Sequence, residues 1–398
     1  MALSLLYNPV DYSSAHGELI FTLLEDTKPF NSSLYPDYKY VCDIYVAGIL
    51  EARLKAFPRP NDKIGFFDIG NIVRNYLISN FSPFPNDLRA EQIGENHFYV
   101  NVTCRFGEEY GGVTYSNIII DTQRTYFNHY NGRLIGQSTI LSNYLDKVLS
   151  TRPYATPVYR GAKFCLIPFL PTDDTTINLV IKSYNGGGLV ATTTQPYTPF
   201  SGSSNIMQLF NAAPAAINAA VPGFISNYID YYTVEFSTTN ITGDSIYRFD
   251  LVCEPKYEVH TLHFMNQFGG YESKDFTKVS RRRVEVEKSD YGPAGYIISS
   301  EGVPEYYNSN KVYRETRKTY AGVWKEKMTL NSDFLTDAEY EWLEDLILSP
   351  LIYVQIGDYH YPAVVTDSNY EPKKRINDDL TNLTINIEYG DRFNTQYR

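Results

Sequence analysis

The chain has 398 residues, of which 43% are hydrophobic and 20% are charged, and it carries a formal net charge of −11. This length exceeds one ordinary hydrophobic core, so two or three domains are expected, and the balance of apolar and charged residues excludes wholesale disorder. The negative charge argues against binding to nucleic acid, because the phosphates of nucleic acid need a basic face.

The amino-terminal residues 1–9 lack the basic and apolar regions of a secretory signal. No apolar run approaches the ~18 residues that a membrane helix needs, so no membrane insertion is expected. Four cysteines, Cys42, Cys104, Cys165 and Cys253, stand far apart without a Cys-x-x-Cys pair. This spacing predicts reduced thiols rather than a zinc or dithiol redox site, in a protein made in a cytoplasm.

Tyrosine is the compositional outlier, with 36 Tyr against 2 Trp and 4 Met. Tyrosine suits half-buried strands, because its ring packs while its hydroxyl reaches water or a partner. It is also enriched where proteins contact other proteins. The composition therefore indicates solvated β-strands, interaction surfaces, or both.

The first part of the chain is predicted to form a β domain over residues 1–153. Period-2 patterns predict strands that include 17–24, 38–46 and 98–106. A helix near 68–79 is predicted to begin at the capping residue Asp68. Its apolar face, at spacings of three and four, consists of Ile69, Ile72, Val73, Tyr76 and Leu77. A second stripe of this kind predicts a helix over about 141–149.

A middle β domain is predicted over residues 154–255, with an extended loop over 195–221. The second half of this loop is apolar and uncharged, so it would form a sticky patch if it were exposed. We therefore predict that it contacts another subunit. The predicted interface residues are Ile206, Met207, Leu209 and Phe210. The alternative is that the segment folds back as a lid over its own domain.

A carboxyl-terminal β domain is predicted over residues 256–398. The cluster Arg281–Arg283 runs into the alternating segment Val284–Lys288, which is typical of an edge strand with charges pointing outward. A helix near 336–348 is predicted from a capping box at Thr336 and Glu339. Trp342 lies at the centre of its apolar face and is the predicted packing anchor.

The predicted fold class is mainly β, with two or three antiparallel β-sandwich or barrel-like modules and a few short helices. Turn-forming segments rich in Gly, Asn and Pro separate the strands, and no repeat of fixed period indicates a propeller or solenoid.

The sequence predicts no enzyme, no cofactor and no metal site. The catalytic motifs HExxH, GxSxG and GxxxxGK[ST] are absent. His260 and His263 are three residues apart in a predicted strand, where such positions face opposite sides. The triplet Gly186–Gly188 lies between two predicted strands, which indicates a hairpin turn rather than a phosphate-binding loop.

Two regions carry a resemblance to known proteins. The first is Tyr40–Gly48, which continues through Arg53–Lys55 and Phe57–Pro58 to Phe67–Val73. The second comprises Phe264–Tyr271, Trp342–Leu346, Ser349–Pro350, Tyr361–Asp367 and Leu383–Tyr389. Together they resemble tail or baseplate structural proteins of tailed phages of Bacteroidetes hosts, including crAss-like phages. The resemblance covers about half the chain, at both ends.

The resemblance implies a non-enzymatic virion component, such as a baseplate, distal-tail or hub or ring protein, made in the host cytoplasm. Its expected partners are copies of itself in a ring or other oligomer and other tail proteins. One alternative is a carbohydrate-binding or adhesive β-sandwich, whose exposed tyrosines would stack on sugar rings, so glycan binding stays possible. A glycosidase is the third hypothesis.

Overall fold

The computed structural model describes residues 3–28, 32–77, 87–93, 97–115, 121–128, 145–171, 176–198, 207–238, 245–366, 381–390 and 393–396. The predicted mainly β class is confirmed: open sheets dominate, and among the described residues the helices are short and none of the sheets closes into a barrel. The chain divides into two compact units. The first comprises Met1–Glu254, His263–Asp275 and Ala338–Pro350, and the second comprises Pro255–Leu262, Phe276–Asp337 and Leu351–Arg398.

The described strands, in chain order up to residue 276, are β1 (Ser4–Tyr7), β2 (Ser13–Ser14), β3 (Ile20–Leu24), β4 (Lys39–Val46), β5 (Ile49–Ala56), β6 (Ile64–Asp68), β7 (Arg89–Ile93), β8 (Tyr99–Tyr110), β9 (Val113–Tyr115), β10 (Asp121–Phe127), β11 (Lys147–Val148), β12 (Ala155–Tyr159), β13 (Leu166–Leu170), β14 (Ile177–Asn185), β15 (Gly188–Tyr197), β16 (Met207–Asn211), β17 (Tyr231–Ser237), β18 (Ser245–Val252), β19 (His260–Met265) and β20 (Tyr271–Phe276). The remaining strands are β21 (Arg281–Tyr291), β22 (Ile297–Ile298), β23 (Pro304–Glu305), β24 (Lys318–Leu335), β25 (Ile352–Ile356), β26 (Tyr359–Val365), β27 (Thr381–Tyr389) and β28 (Phe393–Gln396). The described helices are α1 (Gly70–Arg74), α2 (Pro214–Ala220), α3 (Asp337–Trp342) and α4 (Glu344–Leu348).

The amino-terminal part of the first unit contains two sheets, with strand orders β1-β3-β6 and β2-β10-β8-β4-β5; β9 pairs with β8. From Val100 to Phe106, alternate residues of β8 are buried, as the period-2 pattern predicts. The aromatic rings of Phe21 and Phe106 lie 5.2 Å apart in the core. Gly65 is required here, because a Cβ at this position would lie 2.3 Å from the ring of Tyr40.

The predicted helix near 68–79 is shorter than expected, because α1 spans only Gly70–Arg74. Asp68 accepts a hydrogen bond from the Gly70 backbone N–H (2.9 Å), but Ile69 holds the N-cap position. The predicted apolar face packs on the amino-terminal core as expected.

The second helix was predicted over about 141–149. Within this range Lys147–Val148 forms strand β11 instead, which pairs with β13, and residues 141–144 lie outside the described residues.

A second hydrophobic core lies between the sheets β11-β13-β16-β7 and β12-β18-β17-β14-β15. Phe169 of β13 stacks on Phe236 of β17 with ring centroids 5.3 Å apart. Phe210 of β16 meets the same ring edge-on at 5.4 Å. The two sheets therefore face each other across shared aromatic side chains, which is a sandwich-like arrangement.

The expected loop over 195–221 is corrected by the structure. Its first residues complete β15, Met207–Asn211 forms β16, and α2 follows, with Pro214 as its first residue. Met207, Leu209 and Phe210 have no exposed surface, because β16 lies between β13 and β7 and packs within the chain's own core. No surface is left at these three side chains for a partner; Ile206 lies outside the described residues.

The helices α3 and α4 follow each other with Leu343 between them, close to the predicted bounds 336–348. The side chain of Trp342 is 1% exposed. Residues 338–350 belong to the first unit, whereas the prediction assigned them to a carboxyl-terminal domain beginning at residue 256.

The second unit contains strands in the order β25-β26-β27-β24-β21, with β28 also paired to β24. Alternate residues of β27, including Leu383, Ile385 and Ile387, are buried on one face. Strand β24 is long: its second half packs in this core, with Met328 and Leu330 buried. Its first half pairs with β21 in a hairpin whose surroundings differ sharply from those of the core.

Candidate interaction surface

The hairpin formed by β21 and the start of β24 carries an extended exposed region, which we call the arm and define as residues 281–320. It includes the two-stranded β22–β23 sheet and the first three residues of β24. The structure describes every residue of the arm, and none of them is buried. The arm therefore has no hydrophobic core of its own.

Large apolar and aromatic side chains are concentrated on the arm. Each of twelve such side chains is at least 45% exposed. They are Val284, Val286, Tyr291, Tyr296, Ile297, Ile298, Val303, Tyr306, Tyr307, Val312, Tyr313 and Tyr320. Single exposed apolar residues are ordinary, but a concentration in one segment marks an interaction site.

The stem of the arm has one apolar face and one charged face, because β21 alternates valine with charged residues. Val286 is opposite Trp324 across the hairpin, and Val284 lies on the same face. On the other face, Glu285 forms an ion pair with Lys327 (2.8 Å). That ion pair lowers the pKa of Glu285. Charge is thus compensated on one face, while Val284 and Val286 on the apolar face are 46% and 52% exposed.

The position of β21 confirms the edge-strand interpretation of the Arg281–Lys288 segment. Among the described strands, β21 pairs with β24 and ends the strand order of its sheet. Arg282 forms an ion pair with Glu326 of the neighbouring strand. Charged side chains of this kind commonly protect a sheet edge from indiscriminate pairing.

The tip of the arm, residues 292–317, has no buried residue and is held by backbone hydrogen bonds. One turn is closed by the Ser299 N–H, which donates to the Val303 carbonyl (2.9 Å). In the other, the Asn308 N–H donates to the Val312 carbonyl (3.0 Å), and the Asn308 side chain accepts from two backbone N–H groups. The tip is therefore a shaped surface even without a core beneath it.

Tyrosine pairs line this tip. Tyr307 and Tyr313 meet edge to face with centroids 5.9 Å apart, and Tyr296 and Tyr306 do so at 6.0 Å. The described residues of the predicted interface, Met207, Leu209 and Phe210, are buried in β16, so the sequence interpretation missed the arm. The sequence feature that could have identified the arm is the presence of six tyrosines among residues 291–320, with aliphatic residues between them.

A cluster of buried charged residues surrounds the predicted anchor Trp342. Its indole N–H donates to the carboxylate of Glu272, and the guanidinium of Arg152 lies 4.2 Å from the indole ring. The ammonium of Lys274 pairs with Glu339 at 3.3 Å. These groups contact each other inside the first unit, which is the arrangement of a structural network.

The histidine pair considered as a metal site has separate contacts. His260 hydrogen-bonds to the Ser280 hydroxyl at 2.9 Å, whereas the ring of His263 packs edge-on against Phe164. Within the described ranges, no group of three or more His, Cys, Asp or Glu residues is placed to hold a metal ion.

No helix in the described part of the chain is long and apolar enough to cross a membrane.

Comparisons with known proteins find no matching family model and no matching curated protein. Among solved structures, the chain is similar to the full extracellular region of plexin A4 at 10% identity and a TM-score of 0.22; the match covers 98% of this chain and 36% of that one. It is also similar to the BSP domain of a biofilm-associated protein at 9% identity and a TM-score of 0.16, covering 82% of this chain and 63% of that one. The chain thus spans about a third of the plexin structure, and neither similarity bears on function.

Proposed function

We propose that this protein is a non-enzymatic structural component of a phage tail, such as a baseplate, distal-tail or hub or ring protein, that assembles through protein–protein contacts. The observation that carries the assembly role is the arm, where twelve large apolar side chains are exposed in a segment of 40 residues. The tail assignment rests on the sequence resemblance of the two ends of the chain.

The chemistry of the arm favours a protein partner. Tyrosines supply large, rigid contact surfaces and are frequent among the residues that dominate binding energy. Between them lie Ile297, Ile298, Val303 and Val312, which cannot donate or accept a hydrogen bond. Such side chains can be buried against an apolar protein surface. A sugar bound over them would leave its hydroxyl groups without hydrogen-bond partners.

The second candidate is a glycan-binding or adhesive protein. It is favoured by the exposed ring of Tyr313, which is 77% accessible. In this role the aromatic rings would stack on sugars, and the exposed Asn310 would contribute hydrogen bonds.

One variant separates these functions. Tyr291 pairs with Lys318 across the hairpin, so residues 292–317 can be replaced by Asn-Gly, a two-residue turn that fits antiparallel strands. This tip-less variant loses eight of the twelve exposed apolar side chains. We expect the full-length protein to form oligomers in analytical ultracentrifugation and negative-stain electron microscopy, and the tip-less variant to stay folded but monomeric.

Equal assembly by both proteins would contradict an assembly role for the arm. Glycan-array binding that disappears in the tip-less variant, without oligomers of the full-length protein, would favour the second candidate. The tail assignment is tested by immunogold labelling of tailed particles whose genome encodes this chain. Label on the tail supports it, and absence of the protein from purified particles contradicts it.

A further inference from the structure

The arm differs in charge from the rest of the chain. Residues 281–320 contain eight Lys and Arg against six Asp and Glu, whereas the remaining residues contain 27 against 40. The arm is thus slightly basic and the remainder, which we call the body, is strongly acidic. Its exposed cations include Arg281 and Lys288 at the stem.

We propose that the arm docks on the body of a second copy of this chain, an inference that rests on the proposed assembly function. Two bodies repel each other by their negative charge, and two arms carry the same positive sign. The arrangement of arm against body brings opposite charges together. Charge complementarity of this kind selects partner and orientation, while apolar burial supplies most of the affinity.

The apolar surface of the arm is large enough for such a contact. At roughly half exposure, each of the six tyrosines offers on the order of 80–120 Å² and each of the six aliphatic side chains roughly 40–60 Å². Together they offer roughly 900 Å², comparable with the about 800 Å² that each partner buries in a standard stable interface. The arm alone can therefore supply one side of an interface.

Docking of arm on body is a heterologous contact, since the two surfaces that meet are different. In a pair of copies, one copy therefore keeps a free arm and the other keeps a free body surface. Further copies can add to both ends, always with arm on body. Such an assembly closes into a ring if the rotation per copy allows it and otherwise continues as a filament. Pairing of arm with arm would instead stop at a dimer.

The tip-less variant tests this directionality, because it lacks most of the arm but retains the body. Immobilised tip-less protein is mixed with full-length protein at low ionic strength, and the captured amount is measured. We expect capture of the full-length protein, shorter assemblies when tip-less protein is in excess, and several-fold weaker capture when salt rises from about 0.05 M to about 0.5 M, which screens charge.

Charge variants of the full-length protein provide matched controls. Arg281→Glu combined with Lys288→Glu should reduce capture by at least tenfold, because the arm then becomes acidic like the body. Arg59→Glu, an exposed position of the body, should leave capture by the arm within about twofold of that of the wild type. Circular dichroism of each variant confirms that it is folded.

Three outcomes would overturn the inference. Full-length oligomers without capture by the tip-less protein would show pairing of arm with arm. A monomeric full-length protein that binds a different purified tail protein through its arm would leave the proposed function standing but exclude a second copy as occupant. A full-length protein that binds neither would remove the proposed assembly function as well.

Discussion

Trp342 donates its indole N–H to Glu272, a carboxylate without any exposed surface. Asn266 donates to the other oxygen of the same carboxylate (2.7 Å). A buried charge is tolerated only when such donors satisfy it, so Trp342 both fills space and stabilises Glu272. The packing anchor expected from the sequence is therefore also part of a polar network.

Replacing Trp342 tests both roles. Trp342→Ala should lower the free energy of unfolding by about 3–5 kcal/mol, through the lost packing and the cavity that remains. Trp342→Phe keeps much of the volume but removes the donor to Glu272, so it should cost about 1–3 kcal/mol. Urea unfolding followed by circular dichroism measures both. Leu348→Ala, at a 61% exposed position of α4, is the matched control and should change stability by less than about 0.5 kcal/mol. A Trp342→Ala protein as stable as the control would refute the anchor role.

Asp345 predicts a pH dependence of stability. Burial, together with the nearby carboxylate of Glu272, raises the pKa of Asp345 to about 7. The folded state thus binds this proton more tightly than the unfolded state, where the pKa is about 3.9. The stabilisation is complete below pH ~4 and is lost as the pH rises through about 7.

Removing the titrating group should remove this dependence. The difference in unfolding free energy between Asp345→Asn and the wild type should shift in favour of the variant by about 2 kcal/mol between pH 5 and pH 8. Urea unfolding at both pH values measures the shift. Glu344→Gln, at the exposed neighbouring position, should follow the wild type. A constant difference between Asp345→Asn and the wild type would show that Asp345 does not titrate in this range.

Local patterns were sufficient to predict much of the fold. The alternation of Val284 to Glu287 identified an edge strand. The capping box at Thr336 and Glu339 identified a helical segment with the buried Trp342 on its apolar face. These features depend on residues close in sequence, whose periodicity of two or 3.6 is visible directly.

The location of the interaction surface could not be predicted in this way. An uncharged apolar segment such as Met207–Asn211 has the same local signature whether a partner or the chain's own core covers it. Pairing with β13 and β7 decides that the chain's own core covers this segment, and β7 lies more than 100 residues away in the sequence. The arm shows the converse: its tyrosines are visible in the sequence, but its strand pattern is ordinary, and only the structure shows that these side chains are exposed.

The corrected position of Phe210 has a direct consequence. Phe210 is fully buried between Tyr197 and Phe236, so Phe210→Ala should lower stability by about 3–5 kcal/mol in the monomer itself. Thermal and urea unfolding of dilute protein measure the effect. Thr192→Ala, at an exposed position of β15, should stay within about 0.5 kcal/mol of the wild type. A stable Phe210→Ala protein that fails only to assemble would restore the original interface interpretation.

The cysteines are free thiols, as the sequence predicts, and they differ in exposure. Cys42, Cys104 and Cys165 are buried, whereas Cys253 is exposed. A hydrogen bond with Cys104 and burial raise the pKa of Cys42, and burial raises that of Cys165, which keeps these thiols protonated and unreactive. A thiol reagent should therefore modify one cysteine rapidly in the native protein and all four after denaturation without reductant. Cys253→Ser should abolish the rapid phase; fewer than four thiols in the denatured wild type would reveal a disulfide.

Tyr307 and Tyr313 should contribute to association and not to folding. They are 54% and 77% exposed and contact each other at the tip of the arm, so replacing both with Ser should change unfolding free energy by less than about 0.5 kcal/mol. Interface tyrosines that are buried on binding typically contribute about 1–2 kcal/mol each, so self-association should weaken at least about 30-fold. Sedimentation equilibrium measures the association constant.

Replacement of both Tyr307 and Tyr313 by Phe retains the rings and should retain most of the affinity. This variant therefore separates ring packing from hydrogen bonding by the hydroxyl groups. Tyr359→Ser, at a 71% exposed position outside the arm, is the control and should associate like the wild type. Unchanged association of the double Ser variant, with its fold intact, would show that the tip is not part of the interface.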